Sequence, residues 1–420
     1  MLSRYFILFM IGWLMFPLYV FAGDQEALSD TNDRAFSFRI SGFVKSDYWV
    51  DSRSVVAARE DLFLLYPAPI VPDAEGKDLH GDPVYNFSAI TSRILTRIDG
   101  PDAFGARVSG LIEADFSGVT NADINGFRLR HAYMKLEWER WGLLLGQWWH
   151  PMFTPEVFPT VVSLNTGAPF QPFIRNPQAT LSYSNNQSRW MLSMIAQRDN
   201  ASDGPKGATP EYIRNANMPN LHLQWMRASE HFTTGLAVDY KAIRPRNFIM
   251  NDDTGGLHYT SETLGSYAFM AFAGYRQNLF QLKGKAIYGQ NLSEHLMMGG
   301  YAESVIDNDG GMIEYTSLNH LSVWGNILYG DQVQGGFFVG YGKNFGASDP
   351  VVGAYYGRGH DIDYLYRLAP SIVFNSGNLS FCTEVEFTAA GYGVPDHKGR
   401  VLNAREVNNL RLLFTALYFF

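Results

Sequence analysis

Cysteine is nearly missing from this chain. Cys382 is the only one in 420 residues, which excludes an intrachain disulfide framework and a multi-cysteine zinc or iron–sulfur site. Charge is scarce too: Asp, Glu, Lys and Arg make up 18% of the residues, 33 basic against 41 acidic, a formal net charge of −8. A net acidic chain does not suit a general nucleic-acid binder. Beyond residue 22 there is no run of apolar residues long enough to cross a bilayer as a helix. Aromatic residues are plentiful instead, at 15%, with 23 Tyr, 30 Phe and 9 Trp. A chain so aromatic and so lightly charged does not belong to the disordered class.

Residues 1–22 read MLSRYFILFMIGWLMFPLYVFA. Arg4 precedes an apolar run that ends in Val20-Phe21-Ala22, with small residues at the −3 and −1 positions. This pattern predicts a secretory signal peptide removed before Gly23; a single membrane anchor is the alternative. Loss of Arg4 would leave 32 basic against 41 acidic residues, or −9. No cysteine follows the cleavage point, so no lipid anchor is expected there. Residues 23–35 would form a short periplasmic segment before the main domain, 36–420.

Period-two alternation runs through that domain. Phe36, Phe38, Ile40, Gly42, Val44, Tyr48 and Val50 share one face, with Arg39, Lys45 and Asp47 on the other. Sixteen strands are predicted: 37–50, 88–98, 104–116, 127–138, 141–149, 177–185, 188–198, 219–227, 231–243, 260–275, 278–290, 316–329, 332–342, 361–374, 379–391 and 405–420. Eighteen is the alternative count, and 294–302 is a weak further candidate left inside a loop, 291–315. Alternation over 11 to 14 residues is long for a soluble strand and suits a tilted strand crossing a bilayer. Hydrocarbon leaves no backbone group free to hydrogen-bond water, so such strands must close. The fold class is therefore all-β, a transmembrane antiparallel β-barrel with alternating short turns and long loops. A soluble exported β-protein is the rival.

The final segment alternates through Leu410, Leu412, Phe414, Ala416, Tyr418 and Phe420, similar to the C-terminal signal of outer-membrane barrels. Together with SGFVKSDYW at 41–49, FRLRHAYMKL at 127–136 and LLLGQWWHPMF at 143–153, residues 36–420 resemble the outer-membrane porins of Gram-negative bacteria. The long, Pro-rich first outer loop (YPAPIVPDAEG) departs from the general porins, and no marker of a sugar channel is present. The resemblance implies a passive channel for small hydrophilic solutes in the cell outer membrane, with no cofactor. It also implies contact with lipid and lipopolysaccharide, assembly by the barrel-assembly machinery, and a homotrimer. It further implies a third outer loop, 150–176, folded inward to narrow the lumen. Pro151, Phe153, Glu156, Phe158 and Phe170 are its candidate constriction residues; an outward loop gripping a neighbour is the alternative.

Arg and Lys facing lipid near the bilayer midplane cost about 2–4 kcal/mol, which drives them inward. Arg39, Lys45, Arg93, Arg97, Arg107, Arg128 and Arg130 are the expected inner basic residues, with Asp47, Glu113 and Asp115 among them. This excess of basic groups favours anionic solutes, unless the charges pair off. Inward Arg128 and Arg130 leave Phe127, Leu129 and Tyr133 on the lipid side. His131 and Lys135 would then point outward too, so a bulge or subunit contact is needed there. The tryptophans are expected near the lipid boundary, with core or subunit packing as the other possibility.

Asp252, Asp253, Asp307 and Asp309 cluster oxygen ligands in two loops, a weak pattern for calcium that completes no calcium-loop spacing. A barrel hydrolase is the rival function, with His320 and Ser322 on one strand face or His258 near Ser261. A closed barrel that docks a membrane complex is a third possibility. N-terminal sequencing of the protein purified from membranes is expected to start at Gly23-Asp24; a retained Met1 would overturn the processing site.

Overall fold

A computed structural model describes residues 35–251, 254–307 and 312–420. The signal segment 1–22 and most of 23–35 lie outside the described residues. Sixteen antiparallel strands close into a ring. They are β1 (Ser37–Asp51), β2 (Val84–Ser88 continued by Arg93–Asp99), β3 (Arg107–Asp115), β4 (Arg128–Glu137), β5 (Trp141–Trp149) and β6 (Arg175–Asn185). Then follow β7 (Ser188–Ile195), β8 (Asn220–Ala228), β9 (Phe232–Ile243), β10 (Leu264–Gln277), β11 (Phe280–Gln290) and β12 (Met312–Gly330). The ring ends with β13 (Val333–Ala347), β14 (Ile362–Ser376), β15 (Leu379–Pro395) and β16 (Val401–Phe419). Strand β16 returns to β1, with Phe419 opposite Phe43 and Arg411 opposite Asp51. Closure gives every strand two partners, which a bilayer demands.

Burial follows the pleat. Along β10, Tyr267 and Phe269 are exposed while Ala268, Met270 and Phe272 are buried. Along β16, Leu410, Leu412 and Phe414 are exposed, whereas Asn409, Arg411 and Thr415 are fully buried. The barrel is apolar outside and polar inside, the inverse of a soluble sandwich. So much exposed apolar surface on one chain marks a lipid-facing wall.

Three details differ from the expectation. The last connection is 396–400 rather than 392–404, because β15 and β16 extend farther as a hairpin. Within 291–311, Gly299–Asp307 is a strand; it pairs with the first half of β12 and with Tyr355–Arg358, so it extends the wall without adding a ring member. The third is a bulge in β4. Glu113 is opposite His131 and Ala114 opposite Leu129, so Arg130 is the extra residue. The phase therefore flips, and His131, Tyr133 and Lys135 join Arg128 and Arg130 on the inner side. The expected lipid-facing Tyr133 is wrong, while Leu129 and Phe127 are exposed outside as expected. A bulge resolves the conflict here because it turns two successive basic residues away from lipid.

Replacing outward Leu412 by Arg should destabilise the folded barrel by about 2–4 kcal/mol if it lies near the midplane. Denaturant unfolding in lipid vesicles, followed by heat-dependent gel migration, measures this.

Candidate functional site

The inner wall carries a network of ion pairs. Arg130 donates to Glu113 (2.6 Å) and Asp115 (2.7 Å), and Arg128 donates to Asp115 at 2.8 Å. Arg128 also reaches Asp199 (3.3 Å), which accepts from Arg175 at 2.5 Å. Arg93 stands 3.5 Å from Glu113 with its guanidinium over the Phe43 ring. Four arginines thus share three carboxylates. Burial alone would raise the Asp199 carboxyl, but Arg175 and Arg128 outweigh it and hold it below its ordinary range. Elsewhere on the wall, Arg411 forms a two-pronged pair with Asp51, and Arg367 lies 3.3 Å from Glu386.

The remaining expected inner residues divide by position. Lys45 is buried and pairs with Asp47 at 3.0 Å. Arg107 is exposed and donates to Glu137 at 2.6 Å. Arg39 and Arg97 are exposed and directly opposite each other, near the short-turn end. Most of the basic charges expected to stand free are therefore matched by a carboxylate.

Segment 150–174, between β5 and β6, is tied to the inner wall at many points. Lys285 of β11 donates to the Met152 and Phe153 carbonyls (3.0 and 2.8 Å), and Lys283 donates to the Thr160 hydroxyl at 3.0 Å. On β12, Ser322 donates to Phe170 O (2.9 Å) and Trp324 to Gln171 Oε1 (3.0 Å). Arg367 of β14 donates to Ala168 O at 2.9 Å. On β15, Glu384 accepts the Val162 and Ser163 N–H groups (2.9 and 3.0 Å). Lys45 of β1 reaches Val162 O at 3.4 Å. A Cβ at Gly340 would come within 2.4 Å of the Phe170 ring, so only glycine lets the wall approach so closely.

Of the five residues singled out in this segment, Pro151, Phe153 and Phe170 are buried. Phe153 stacks on Trp149 with ring centres 3.9 Å apart. Phe158 packs beneath Lys283. Glu156 is exposed and forms an ion pair with Arg189 of β7. Beside it lies a cavity of about 230 Å³ whose lining includes Tyr133, Lys135, Leu144, Trp148, Glu156 and Arg189.

Two further segments share this interior, and the sequence reading missed both. In 61–66, Leu62, Phe63, Leu64, Leu65 and Tyr66 are buried, and Arg367 donates to the Leu64 and Leu65 carbonyls. Arg411 donates to Asp61 O and Leu62 O. In 291–298, His295 O accepts from Phe173 N, and Leu292, Leu296, Met297 and Met298 join one apolar cluster with Phe63, Phe153 and Phe170. The consecutive apolar run FLLY at 63–66 was the available signal. Trp49 and Trp324 also belong inside, at 1% and 3% exposure, rather than at the lipid boundary; Trp141 and Trp190 are exposed outside.

The other candidates fare as follows. Asp252, Asp253 and Asp309 lie outside the described residues; Asp307 ends the strand Gly299–Asp307. Ser322 spends its proton on the Phe170 carbonyl, and His320, though buried on the same strand, makes no bond to it. His258 lies exposed in a short hairpin.

No family model and no curated protein matches the chain. Solved structures do. The outer membrane channel DcaP of Acinetobacter baumannii superposes with a TM-score of 0.66 at 14% identity, over 93% of this chain and 99% of that one. The anion-selective porin of Comamonas acidovorans gives 0.53 at 11%, over 92% and 100%. The outer-membrane OmpT of Vibrio cholerae gives 0.52 at 11%, over 93% and 99%. The chain has the porin fold.

Replacing Arg367 by Met should leave the Leu65 and Ala168 carbonyls without their side-chain donor and Glu386 without its cation. A loss of about 3–5 kcal/mol is expected, read from denaturant unfolding, together with new protease cleavage within 150–174.

Proposed function

We propose that this porin-fold chain is an outer-membrane diffusion channel for small hydrophilic solutes, narrowed by segment 150–174. The observation that carries this is the set of tethers that hold the segment, rooted between β5 and β6, to β11, β12, β14, β15 and β1, the arc of the ring opposite its root. A segment so anchored spans the lumen. The segments around 62–66 and 291–298 narrow it further, so the passage is tighter than one loop alone would make it. Localisation in a Gram-negative outer membrane follows from the apolar outer wall and closed ring.

The preference for anions is retained in weaker form. Lys283, which is only partly buried, bonds to a neutral hydroxyl of segment 150–174, so no carboxylate cancels its charge toward a passing ion. In a narrow passage such charges are poorly screened. The packed interior favours a second reading, a closed barrel that docks other proteins.

One bilayer experiment separates these. Wild type should conduct weakly, deletion within 154–170 should raise single-channel conductance, and the reversal potential in a salt gradient should favour anions. Lys283→Gln should move that potential toward cations. No conductance from wild type or the deletion variant supports the closed barrel; a cation-selective wild type overturns the charge assignment.

A further inference from the structure

We propose that His150, His222 and Asp239, with His295 against them, form a binding site for a divalent transition metal of the zinc class. The four residues come from four separate segments. His150 directly follows β5, His222 is on β8, Asp239 is its register partner on β9, and His295 closes the short turn Ser293–His295. All four are buried.

The spacing suits a metal. One donor atom from each of His150, His222 and Asp239 falls within 4.8 Å of the others. His222 Nδ1 is 3.0 Å from Asp239 Oδ2, and His150 Nε2 is 3.7 Å from the same oxygen. Bonds of 2.0–2.1 Å in a tetrahedron put neighbouring donors about 3.4 Å apart, so the two separations bracket the required value. Imidazole with a single carboxylate selects zinc, cobalt or nickel rather than calcium or magnesium, which take oxygen shells.

A second observation points the same way. The His295 ring stands perpendicular to that of His150, 4.7 Å away. Its Nδ1 is buried with no hydrogen-bond partner among the described residues, as is Oε2 of neighbouring Glu294. Buried polar groups of this kind are rare in native proteins and cost about 1–3 kcal/mol each. Charge agrees as well. With neutral histidines, Asp239 and Glu294 carry two negative charges against the one positive charge of Lys241, which pairs with Glu294. A divalent cation offsets that buried excess.

The protons balance. His150 Nδ1 accepts the Met152 N–H at 3.2 Å, and Nε2 faces Asn220 Oδ1 at 2.9 Å, so the neutral ring carries its proton on Nε2. Coordination through Nε2 moves this proton to Nδ1 and breaks the long Met152 contact. His222 donates from Nδ1 to Asp239; coordination there moves its proton to Nε2, where Gln224 Oε1, 3.3 Å away, accepts it. Three hydrogen bonds, Met152 N to His150 Nδ1, His150 Nε2 to Asn220 Oδ1 and His222 Nδ1 to Asp239 Oδ2, are exchanged for three metal bonds and the His222–Gln224 bond.

The test uses the full chain, purified in detergent, stripped with chelator, loaded with Zn2+ and desalted. Elemental analysis should find about one zinc per chain. His222→Gln should bind at least tenfold more weakly, while His360→Gln, altered at a ring stacked on Tyr355, should bind as wild type does. Zinc absent from wild type, or retained equally by His222→Gln, overturns the site. If His222→Gln fails to fold, by heat-dependent gel migration, Co2+ titration of wild type decides. Intense visible bands of a tetrahedral ion support the site, and the spectrum of the free aqueous ion overturns it.

Discussion

The backbone hydrogen bonds between β16 and β1 are the constraint on which the rest depends. An open edge in hydrocarbon would leave a row of N–H and C=O groups unpaired, each costing several kcal/mol. Register from Phe43 opposite Phe419 to Asp51 opposite Arg411 removes that edge. Once the ring is closed, each strand must send one face to lipid and the other to the lumen. Polar residues therefore converge in a confined interior, where charges cannot be left alone. The ion pairs among Arg93, Arg128, Arg130, Glu113 and Asp115 are a consequence of closure, as is the Arg411–Asp51 pair at the seam.

The same confinement explains how irregular chain is held next to the wall. Segment 150–174 lies outside any sheet ladder, and Phe63–Pro67 pairs only with Val55–Ala58, so both leave buried backbone groups that need partners. Long cationic side chains supply them. Arg367 serves three carbonyls from two different segments, and Lys285 serves two. Glu384 performs the reverse role for the N–H groups of Val162 and Ser163. Apolar contacts among Phe63, Phe153, Phe170 and Met298 then fill the space between the tethers.

Strands were legible in the sequence because lipid on one side and water or polar groups on the other impose strict alternation. Phe36 to Ser41 shows it without interruption. The phase of β4 was not fully legible: RLRHAYMK places basic residues in both phases, and only the bulge at Arg130 brings them to one side. Segment 61–66 was read as part of an outer loop because the prolines that follow it, at 67, 69 and 72, outweighed five consecutive apolar residues. Pairing was invisible as well. Asp199 lies in a loop far along the chain from Arg128, and no local pattern links them. For the same reason His150, His222 and Asp239, spread over 90 residues, gave no motif.

Tethering through backbone atoms has a further consequence for how sequence encodes this interior. A backbone group is present whatever the side chain, so the identities of Met152, Val162 or Ala168 matter less for these tethers than those of Lys285, Arg367 and Glu384 on the wall. The wall residues are also the ones that alternation locates, since each lies in the inner phase of a long strand. Exceptions occur where contact is through side chains, as at Phe170, whose ring needs the bare backbone of Gly340. The path of segment 150–174 is thus written mainly in the strands it bonds to, and a reading confined to the loop's own residues underestimates how firmly it is fixed.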